Sequence, residues 1–230
     1  ARQTYRQIAE QLPVAPSTIA RLLRRAGLHR LAELEPAPPT NRYEYARPGQ
    51  LLHLDIKKLG RFRQPGHRVT GNRQINSRGG GWEYVHLAID DHSRVAFASI
   101  EPDERARSAG RALLLAVRYY RGLGVRFERV LTDNGACYRS RSFRRLVRRL
   151  GMHHLRTRPY TPRTNGKAER LVQTSLREWA YARAYDSSEQ RAHALGPWLH
   201  HYNWHRPHAS LGYKPPISRI PLNNVLGLHS

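Results

Sequence analysis

The hydrophobic pattern of residues 1–35 predicts two short helices separated by a turn. Apolar residues three or four positions apart mark one face of the first helix, which begins at Tyr5 and is broken by Pro13. We expect Ser17 or Thr18 to cap the second helix and Gly27 to end it. The apolar face of that helix carries Ile19, Leu22 and Leu23, and its polar face carries Arg21, Arg24 and Arg25. This pattern is typical of a helix-turn-helix, whose second helix enters the major groove of DNA; a generic basic hairpin is the alternative.

A second pattern begins at residue 50. Prolines at positions 36, 38, 39 and 48 indicate a linker over residues 36–49, which separates the helical segment from a larger domain over residues 50–220. Alternating or continuous apolar runs predict strands at 51–57, 82–90, 94–100, 127–132 and 153–155. Amphipathic runs predict helices at 105–122, 142–150, 165–185 and 189–201. This order predicts an α/β fold, a mixed sheet flanked by helices, preceded by the small all-α segment.

Charge points to the class of partner. The chain has 40 Lys and Arg residues against 17 Asp and Glu residues, a formal net charge of +23. Such an excess favours a polyanion, and nucleic acid binds through neutralisation of its phosphates. Arginines at 139, 141, 144, 145, 148 and 149 are too dense for a merely solvated face, and we expect them to contact phosphates.

Other features narrow the setting. Cys137 is the only cysteine, which excludes an intramolecular disulfide and a cysteine-rich zinc module. The sequence has neither an apolar run of membrane-spanning length nor a signal-like segment, and we expect a cytoplasmic, nucleoid-associated location. It opens at Ala1 without an initiator Met, from which we expect that an N-terminal piece is missing.

Three acids stand out in so basic a chain. Asp55 and Asp133 each follow an apolar strand and are expected at strand ends, where mixed sheets place their sites. Helical periodicity puts Glu169 on the apolar face of its helix, where a carboxylate costs several kcal/mol unless a metal ion or an arginine pairs with it. Converging carboxylates select Mg²⁺ or Mn²⁺, and two such ions can clamp a phosphoryl transfer.

Three motifs extend this interpretation. They are Leu54-Asp55, then 131–135 (LTDNG), then 160–170 (YTPRTNGKAER), with 35 residues between Asp133 and Glu169. The tail adds 202–208 (YNWHRPH), Leu211-Gly212 and Pro215. Together they resemble the DDE integrase core shared by bacterial insertion-sequence transposases and retroviral integrases, with its D,D-35-E spacing. The resemblance covers nearly the whole chain.

The resemblance implies an RNase H-like fold in which Asp55, Asp133 and Glu169 are both catalytic residues and metal ligands. Water would first cut the DNA at an element's end, and the freed 3′-hydroxyl would then attack target DNA, with two Mg²⁺ or Mn²⁺ ions activating both nucleophiles. The implied partners are the terminal inverted repeats and the target duplex. At least a dimer is expected on DNA, because two ends must meet. The zinc domain of retroviral integrases has no counterpart in this sequence.

Several residues admit more than one interpretation. Asp90 and Asp91 also follow an apolar run, and we interpret them as a hairpin turn rather than as metal ligands. We expect Asn165 to cap the helix of Glu169, and we expect DNA contacts from Arg163, Asn165, Lys167 and Arg170. Two alternatives to a transposase remain at this point. One is a DNA-binding repressor with an inactive core, and the other is an RNase H-like nuclease.

Overall fold

The computed structural model describes residues 3–29, 43–66, 71–74, 79–157 and 165–221. The chain divides into two units, Ala1–Tyr43 and Glu44–Ser230. The first unit contains helix α1, Tyr5–Gln11, and helix α2, Pro16–Arg25. Two helices joined by a short turn therefore form where the sequence predicts them, while their function as a helix-turn-helix stays a prediction.

The details of the helical unit differ from expectation at two points. Neither Ser17 nor Thr18 caps α2, because the helix begins earlier, at Pro16, whose fixed φ and missing amide hydrogen suit a first helical position. Leu22 is 55% exposed, whereas Ile19 is buried, so the apolar face of α2 is narrower than the pattern predicts. Gly27 follows the helix with a φ of 71°, a left-handed conformation that favours glycine.

The second unit is built on a five-stranded mixed sheet. Its strands are β1 (Leu52–Arg61), β2 (Gly81–Asp90), β3 (Ala96–Glu101), β4 (Arg129–Thr132) and β5 (His153–Arg156), in the spatial order β3-β2-β1-β4-β5. The pairs β1–β2 and β2–β3 are antiparallel, and the pairs β1–β4 and β4–β5 are parallel. The predicted fold class, a mixed sheet flanked by helices, is confirmed.

Strand β1 is longer than the alternation of apolar residues indicates. It pairs with β2 from Leu52↔Asp90 to Arg61↔Gly81, so the antiparallel pair extends beyond the predicted strands 51–57 and 82–90 into the segment between them. Along the other edge of β1 the pairing is short, because β4 pairs with it only at Leu52↔Val130 and His53↔Leu131. Asp55 therefore does not end β1; it lies where the parallel neighbour of β1 ends.

Helices cover both faces of the sheet. Helices α3 (Ala106–Gly122), α4 (Ala136–Arg139) and α5 (Arg141–Arg149) contribute to one apolar cluster with Leu52, Leu54 and Val130. Helices α6 (Gly166–Ser175), α7 (Ser188–His193) and α8 (Leu195–Trp204) lie towards the other end of the chain, and α6 and α8 contribute to a second cluster with Leu59. Because alternate strand residues face opposite sides, His53 and Asp55 point to the face covered by α6.

The predicted single helix over 165–185 is interrupted. After Ser175 the chain continues as a π-helical turn, Leu176–Ala180, and then leaves the helix. Trp179, in this turn, is buried, donates its indole N–H to the Arg191 carbonyl at 2.8 Å and stacks on Trp198. A π-helical turn contains one more residue than an α-helical turn. The packing of Trp179 keeps this turn in place.

The C-terminal motif fastens the last helix to the sheet. The side-chain amide of Asn203 accepts a hydrogen bond from the Ala96 N–H in β3 at 2.7 Å and donates one to the Ala96 carbonyl at 2.8 Å. Arg206 donates two hydrogen bonds to the carboxylate of Glu178. The 3₁₀ turns Ala209–Leu211 and Pro216–Arg219 follow. Among the residues described, no helix is both long and apolar enough to cross a bilayer.

The last residues of the predicted linker over 36–49 belong to the second unit, which begins at Glu44. The backbone amides of Tyr45 and Gly49 donate to Asp91 and Asp90 at 2.8 and 2.9 Å. Gly49 has a φ of 85°, and a Cβ there would lie 2.3 Å from the Arg126 carbonyl oxygen, so a larger residue would not fit. The larger unit therefore starts at Glu44, and residues 44–49 form a strap across the strand ends.

Candidate active site

Strand register places two of the three acids side by side. His53 pairs with Leu131 in the parallel β1–β4 ladder. Asp55 and Asp133 lie two residues further along their chains, at equivalent positions on the same face. Asp55 is partly buried and accepts from the Ile56 amide at 2.8 Å. Asp133 is exposed, at the first position after β4, where the backbone turns away from the sheet.

The turn after β4 is held in place by its own hydrogen bonds. Asp133 Oδ1 accepts from the Gly135 amide at 2.8 Å, and a Cβ at Gly135 would lie 3.0 Å from that oxygen. Asn134 donates its amide to the Thr157 carbonyl at 2.8 Å, and Thr157 donates its backbone N–H to Thr132. The Asp-Asn-Gly motif therefore orients the Asp133 carboxylate and ties it to the end of β5.

Glu169 comes from α6, which packs against β1 and β2. Its predicted position on the apolar face is wrong: Ala168, Leu171 and Ser175 face the sheet, and Glu169 is exposed one position to the side. Helical periodicity predicts that Val172, Leu176 and Ala180 share its face. Val172 is partly buried, and Leu176 and Ala180 lie in the π-helical turn, where the 100° periodicity no longer holds. Glu169 needs no buried counter-ion to be stable, and its carboxylate is accessible.

Electrostatics shows that the three acids converge. Burial is the main reason that the pKa of Asp55 rises from an ordinary 3.8 to about 6, and the nearby carboxylates of Asp133 and Glu169 raise it further, against the hydrogen bond from Ile56. Both acids therefore act on Asp55, although they come from a different strand and from a helix. In the described ranges, no Lys or Arg forms an ion pair with Asp55, Asp133 or Glu169.

The donor chemistry of this site fits a hard cation. Three carboxylates without basic partners repel one another, and a divalent ion relieves the repulsion that raises the pKa of Asp55. Within the part of the chain that the structure describes, no three acidic, histidine or cysteine side chains are yet gathered into a finished metal site. Asp55 is partly buried, whereas Asp133 and Glu169 are exposed.

Asp90 and Asp91 have a different environment. Both are 0% exposed. Asp90 accepts from the Gly49 amide and from the amide and hydroxyl of Ser93, at 2.9, 2.7 and 2.7 Å. Asp91 accepts from Tyr45, His53 and Lys167. Every one of their oxygens is therefore used within the protein, as the turn interpretation of these two acids requires.

A buried polar network joins the strand of Asp55 to the helix of Glu169. Asp91 Oδ1 lies 2.8 Å from His53 Nε2 and accepts from Lys167 Nζ at 2.5 Å. His53 Nδ1 lies 3.1 Å from Asn165 Oδ1, and Asn165 donates to the Leu54 carbonyl at 3.2 Å. Although burial raises the pKa of Asp91, the hydrogen bonds from His53, Lys167 and Tyr45 outweigh it and lower the pKa to about 2. Asp91 is thus a carboxylate at neutral pH.

Sequence reasoning missed this network, although one signal was present. His53 sits between Leu52 and Leu54 in an otherwise apolar run, two residues before Asp55. A polar side chain in a fully buried strand requires a partner. The partner comes from a turn 38 residues away and from a helix 112 residues away, and no local pattern indicates which residues they are.

The residues predicted to contact DNA fall into three groups. Arg21, Arg24 and Arg25 are exposed on α2, and Arg170 is exposed beside Glu169. Asn165 is buried and Lys167 is largely buried, with both side chains bonded as above; Asn165 makes no side-chain capping bond, because its amide is used on β1. Arg163 lies outside the described residues. DNA contact by any of these residues stays a prediction.

With the site described, comparison with known proteins becomes informative. A profile of the integrase core domain family matches residues 46–162, just over half of the 230 residues. The chain belongs to the integrase core domain family. A second integrase core domain profile matches residues 150–216, so the two together take in β1 to β5, α6 and the C-terminal motif. The resemblance noted from the three motifs is confirmed.

Relatives from insertion sequences share part of this integrase core. The chain is 39% identical over 87 residues to the putative transposase InsD for insertion element IS2E of Escherichia coli (strain K12), a match that covers 37% of this chain and 39% of that protein. The same figures, with 29% of the relative covered, hold for transposase InsD for insertion element IS2A/D/F/H/I/K of Escherichia coli. The chain thus matches well under half the length of these relatives.

Solved structures confirm the fold. The simian T-cell lymphotropic virus intasome, in complex with PP2A regulatory subunit B56 gamma, aligns at 20% identity with a TM-score of 0.60, covering 95% of this chain and 72% of that one. The HTLV-2 integrase catalytic core domain in complex with magnesium (dimeric form) aligns at 15% identity with a TM-score of 0.52, covering 76% and 97%. The second unit therefore has the RNase H-like architecture of integrase catalytic cores.

Proposed function

We propose that this chain is the catalytic core of a bacterial DNA transposase that cuts phosphodiester bonds at the ends of an insertion element and joins them to target DNA. One observation carries the proposal: strand register sets Asp55 beside Asp133, and the carboxylates of Asp133 and Glu169 both raise the pKa of Asp55, so that three acids from separate elements form one site with no ion pair to Lys or Arg among the described residues. The family, and the transposases among the chain's relatives, support DNA as the substrate.

Each acid has a distinct place in the proposed reaction. Asp55 is held by the central strand and its half-buried carboxylate forms the fixed base of the site. Asp133 is oriented by the Gly135 amide, and Glu169 lies on the exposed side of α6. Accessible carboxylates at the rim leave room for a DNA phosphate to approach the buried one. All three are proposed as ligands for Mg²⁺ or Mn²⁺, one or two ions, with the DNA phosphate completing their coordination.

A bound divalent ion supplies Lewis acidity, which lowers the pKa of a nucleophilic water or 3′-hydroxyl and stabilises charge on the reacting phosphate. The protein residues contribute position and charge. The net charge of +23 attracts the DNA, while the local cluster of three acids keeps cations at the point of cleavage. The proposed setting is the bacterial cytoplasm, and the proposed assembly is a dimer or larger on DNA, since two element ends must be brought together.

Cleavage of an element end tests the proposal. The protein is incubated with Mn²⁺ and a duplex carrying the terminal inverted repeat of its insertion element, and the products are separated on a denaturing gel. We expect nicking at the repeat end followed by strand transfer, and neither with Asp133→Asn. Equal cutting by both proteins would contradict the site assignment. Asp186→Asn is the matched control, because it removes the charge of an exposed aspartate that is not part of the proposed site.

The two alternatives predict other outcomes. A repressor with an inactive core would bind the repeat tightly and leave it uncut at every concentration of Mn²⁺. An RNase H-like nuclease would degrade the RNA strand of an RNA–DNA hybrid faster than it cuts the repeat. The accessible, unpaired acids of the site favour an active enzyme over the repressor.

A further inference from the structure

A row of arginines covers one side of α5. Arg141, Arg144, Arg145 and Arg148 follow one another at intervals of three, one and three residues, which places them on one face of a helix. All four are exposed. On the opposite face, Phe143 and Val147 are buried in the apolar cluster that α5 shares with the sheet. The helix is thus divided lengthwise into an apolar side and a wholly cationic side.

This arginine row is unfavourable for the protein by itself. No ion pair among the described residues includes any of its four members. Like charges four positions apart on a helix destabilise it by a few tenths of a kcal/mol per pair, and Arg141 lies in the first turn, where the helix dipole disfavours a cation. Four cations without acids in this position indicate a partner that brings its own negative charge.

The arginine row also forms the wall of an open groove. The groove has a volume of about 480 Å³ and is lined by Val147, Met152 and His154 as well as by the four arginines. His154 lies on β5, the edge strand of the sheet, and burial together with Arg156 and Arg144 lowers its pKa. The groove is therefore a region of positive potential at an open edge of the fold.

The groove lies close to Asp133 along the chain. His154 Nε2 lies 2.9 Å from the hydroxyl of Thr132, the residue before Asp133. Helix α5 begins eight residues after Asp133, and the short helix α4 lies between them. The groove is therefore built from the segments that precede and follow the turn of Asp133.

The length of the row suits a phosphate backbone. Seven residues separate Arg141 from Arg148, and at about 1.5 Å per residue they span roughly 10 Å. One strand of B-DNA carries a phosphate about every 3.4 Å of helix axis, so a row lying parallel to that axis covers roughly three successive phosphates. A guanidinium group can bind a phosphate through two parallel hydrogen bonds, whereas the ammonium group of lysine acts as a point charge. A row made of arginines is therefore better suited to a phosphate backbone than a row of lysines.

We propose that the arginine row of α5 binds the phosphate backbone of duplex DNA beside the phosphodiester that reacts at Asp133. The assignment of DNA to this groove rests on the proposed function, and it adds the path that the DNA takes away from the acids, along α5 and the edge of β5. It is a binding surface without base contacts, so it holds DNA of any sequence.

Salt dependence of binding tests the arginine row. The affinity of a fluorescein-labelled duplex of random sequence is measured by anisotropy, in EDTA, over a series of KCl concentrations. The variant carries Arg144→Gln, Arg145→Gln and Arg148→Gln. The control carries Arg107→Gln, Arg118→Gln and Arg121→Gln, which remove three exposed arginines from α3 and change the net charge equally.

We expect the slope of log K against log[KCl] to become shallower by about 2 to 3 in the row variant and by less than about 1 in the control, because each lost phosphate contact removes about 0.9 from the slope. Equal slopes in the two variants would overturn the proposal, since the row would then act only through net charge. Cleavage is not needed for this measurement. A failed cleavage assay therefore contradicts the proposed function, and an unchanged slope contradicts the groove.

Cross-linking locates the contact. Cys137 is buried, so Arg145→Cys introduces an accessible thiol in the row, and Arg118→Cys is the control on α3. Each thiol is labelled with a photoactivatable aryl azide and irradiated with a duplex carrying the terminal repeat. We expect cross-links from position 145 within about one turn of the cleaved phosphodiester and few from position 118. A uniform ladder from position 145 would overturn the placement of DNA in this groove.

Discussion

Two pairs of aspartates lie close to β1, and they differ in what surrounds them. Asp55 and Asp133 have neighbouring carboxylates but no basic partner among the residues described, and the pKa of Asp55 is raised to about 6. Asp90 pairs with Leu52, three positions before Asp55, and Asp91 follows it; both are completely buried and fully hydrogen-bonded, and the pKa of Asp91 is lowered to about 2. Each pair follows an apolar strand, so sequence context alone makes them equivalent candidates.

The difference separates the acids that we propose as reactive from acids that hold the fold together. A carboxylate that accepts several hydrogen bonds is stabilised as an anion and has no free oxygen for a metal ion or substrate. A carboxylate surrounded by other carboxylates is destabilised as an anion and gains from any cation that approaches. The four predictions that follow test this contrast, from the largest expected effect to the smallest.

Removing a rim carboxylate should abolish catalysis and leave the fold intact. For Asp133→Asn or Glu169→Gln we expect the rate of repeat-end cleavage to fall by about a thousandfold or more, because charge stabilisation at a reacting phosphate is lost. Both side chains are exposed, so the urea midpoint should stay within experimental error of the wild type. A urea midpoint far below that of the wild type would show that these acids stabilise the fold, and they would then not differ from Asp91 in this respect.

Removing Asp91 should instead lower the stability of the fold. Asp91→Ala leaves Lys167 and His53 partly or wholly buried without their carboxylate partner, and we expect the free energy of unfolding to fall by about 3–5 kcal/mol. Urea denaturation followed by tryptophan fluorescence measures this change. Asp133→Asn serves as the control with the same loss of charge. A loss of stability below about 1 kcal/mol would mean that the buried network contributes little.

The raised pKa of Asp55 should make the stability of the protein depend on pH. A carboxyl whose folded pKa lies above its unfolded value binds its proton more tightly when folded, so its contribution to stability is present below pH 3.8 and is lost as pH rises towards about 6. We therefore expect Asp55→Asn to have a free energy of unfolding higher than that of the wild type at pH 7, by about 1–3 kcal/mol at most, and a correspondingly higher melting temperature, while the difference shrinks at pH 4. Thermal melts at both pH values without metal ions measure it. A difference that grows towards pH 4 contradicts the raised pKa.

Lys167 should affect metal binding more than DNA binding. Its ammonium group links Asp91 to the start of α6, so Lys167→Met should loosen Glu169 relative to Asp55 and weaken Mn²⁺ binding about tenfold, in the range found for residues that orient metal ligands. The free Mn²⁺ signal in electron paramagnetic resonance measures this affinity. Lys167→Arg should restore most of it. The salt dependence of DNA affinity in EDTA should not change; a slope reduced by about 1 would instead support the predicted phosphate contact.

Much of the molecule follows from local pattern. Apolar periodicity and turn residues predict the order of strands and helices, and the three motifs predict the family and the three acids. The boundaries that failed have local causes. Residues 59–61 continue β1 because β2 pairs with them, although their side chains show no apolar alternation. The helix after Asn165 changes to π geometry because Trp179 is anchored in the core.

The sequence by itself determined which chemistry is present: an excess of cations, three acids in a recognisable order, and the arginine row of α5. Only the tertiary structure decided which acids are available for it. Burial depends on partners far away in the chain, and the Asp91, His53 and Asn165 contacts join residues 38 and 112 positions apart. The same limit explains Glu169, whose exposure follows from which side of α6 meets the sheet, a choice made by packing against β1 and β2 rather than by the helix itself.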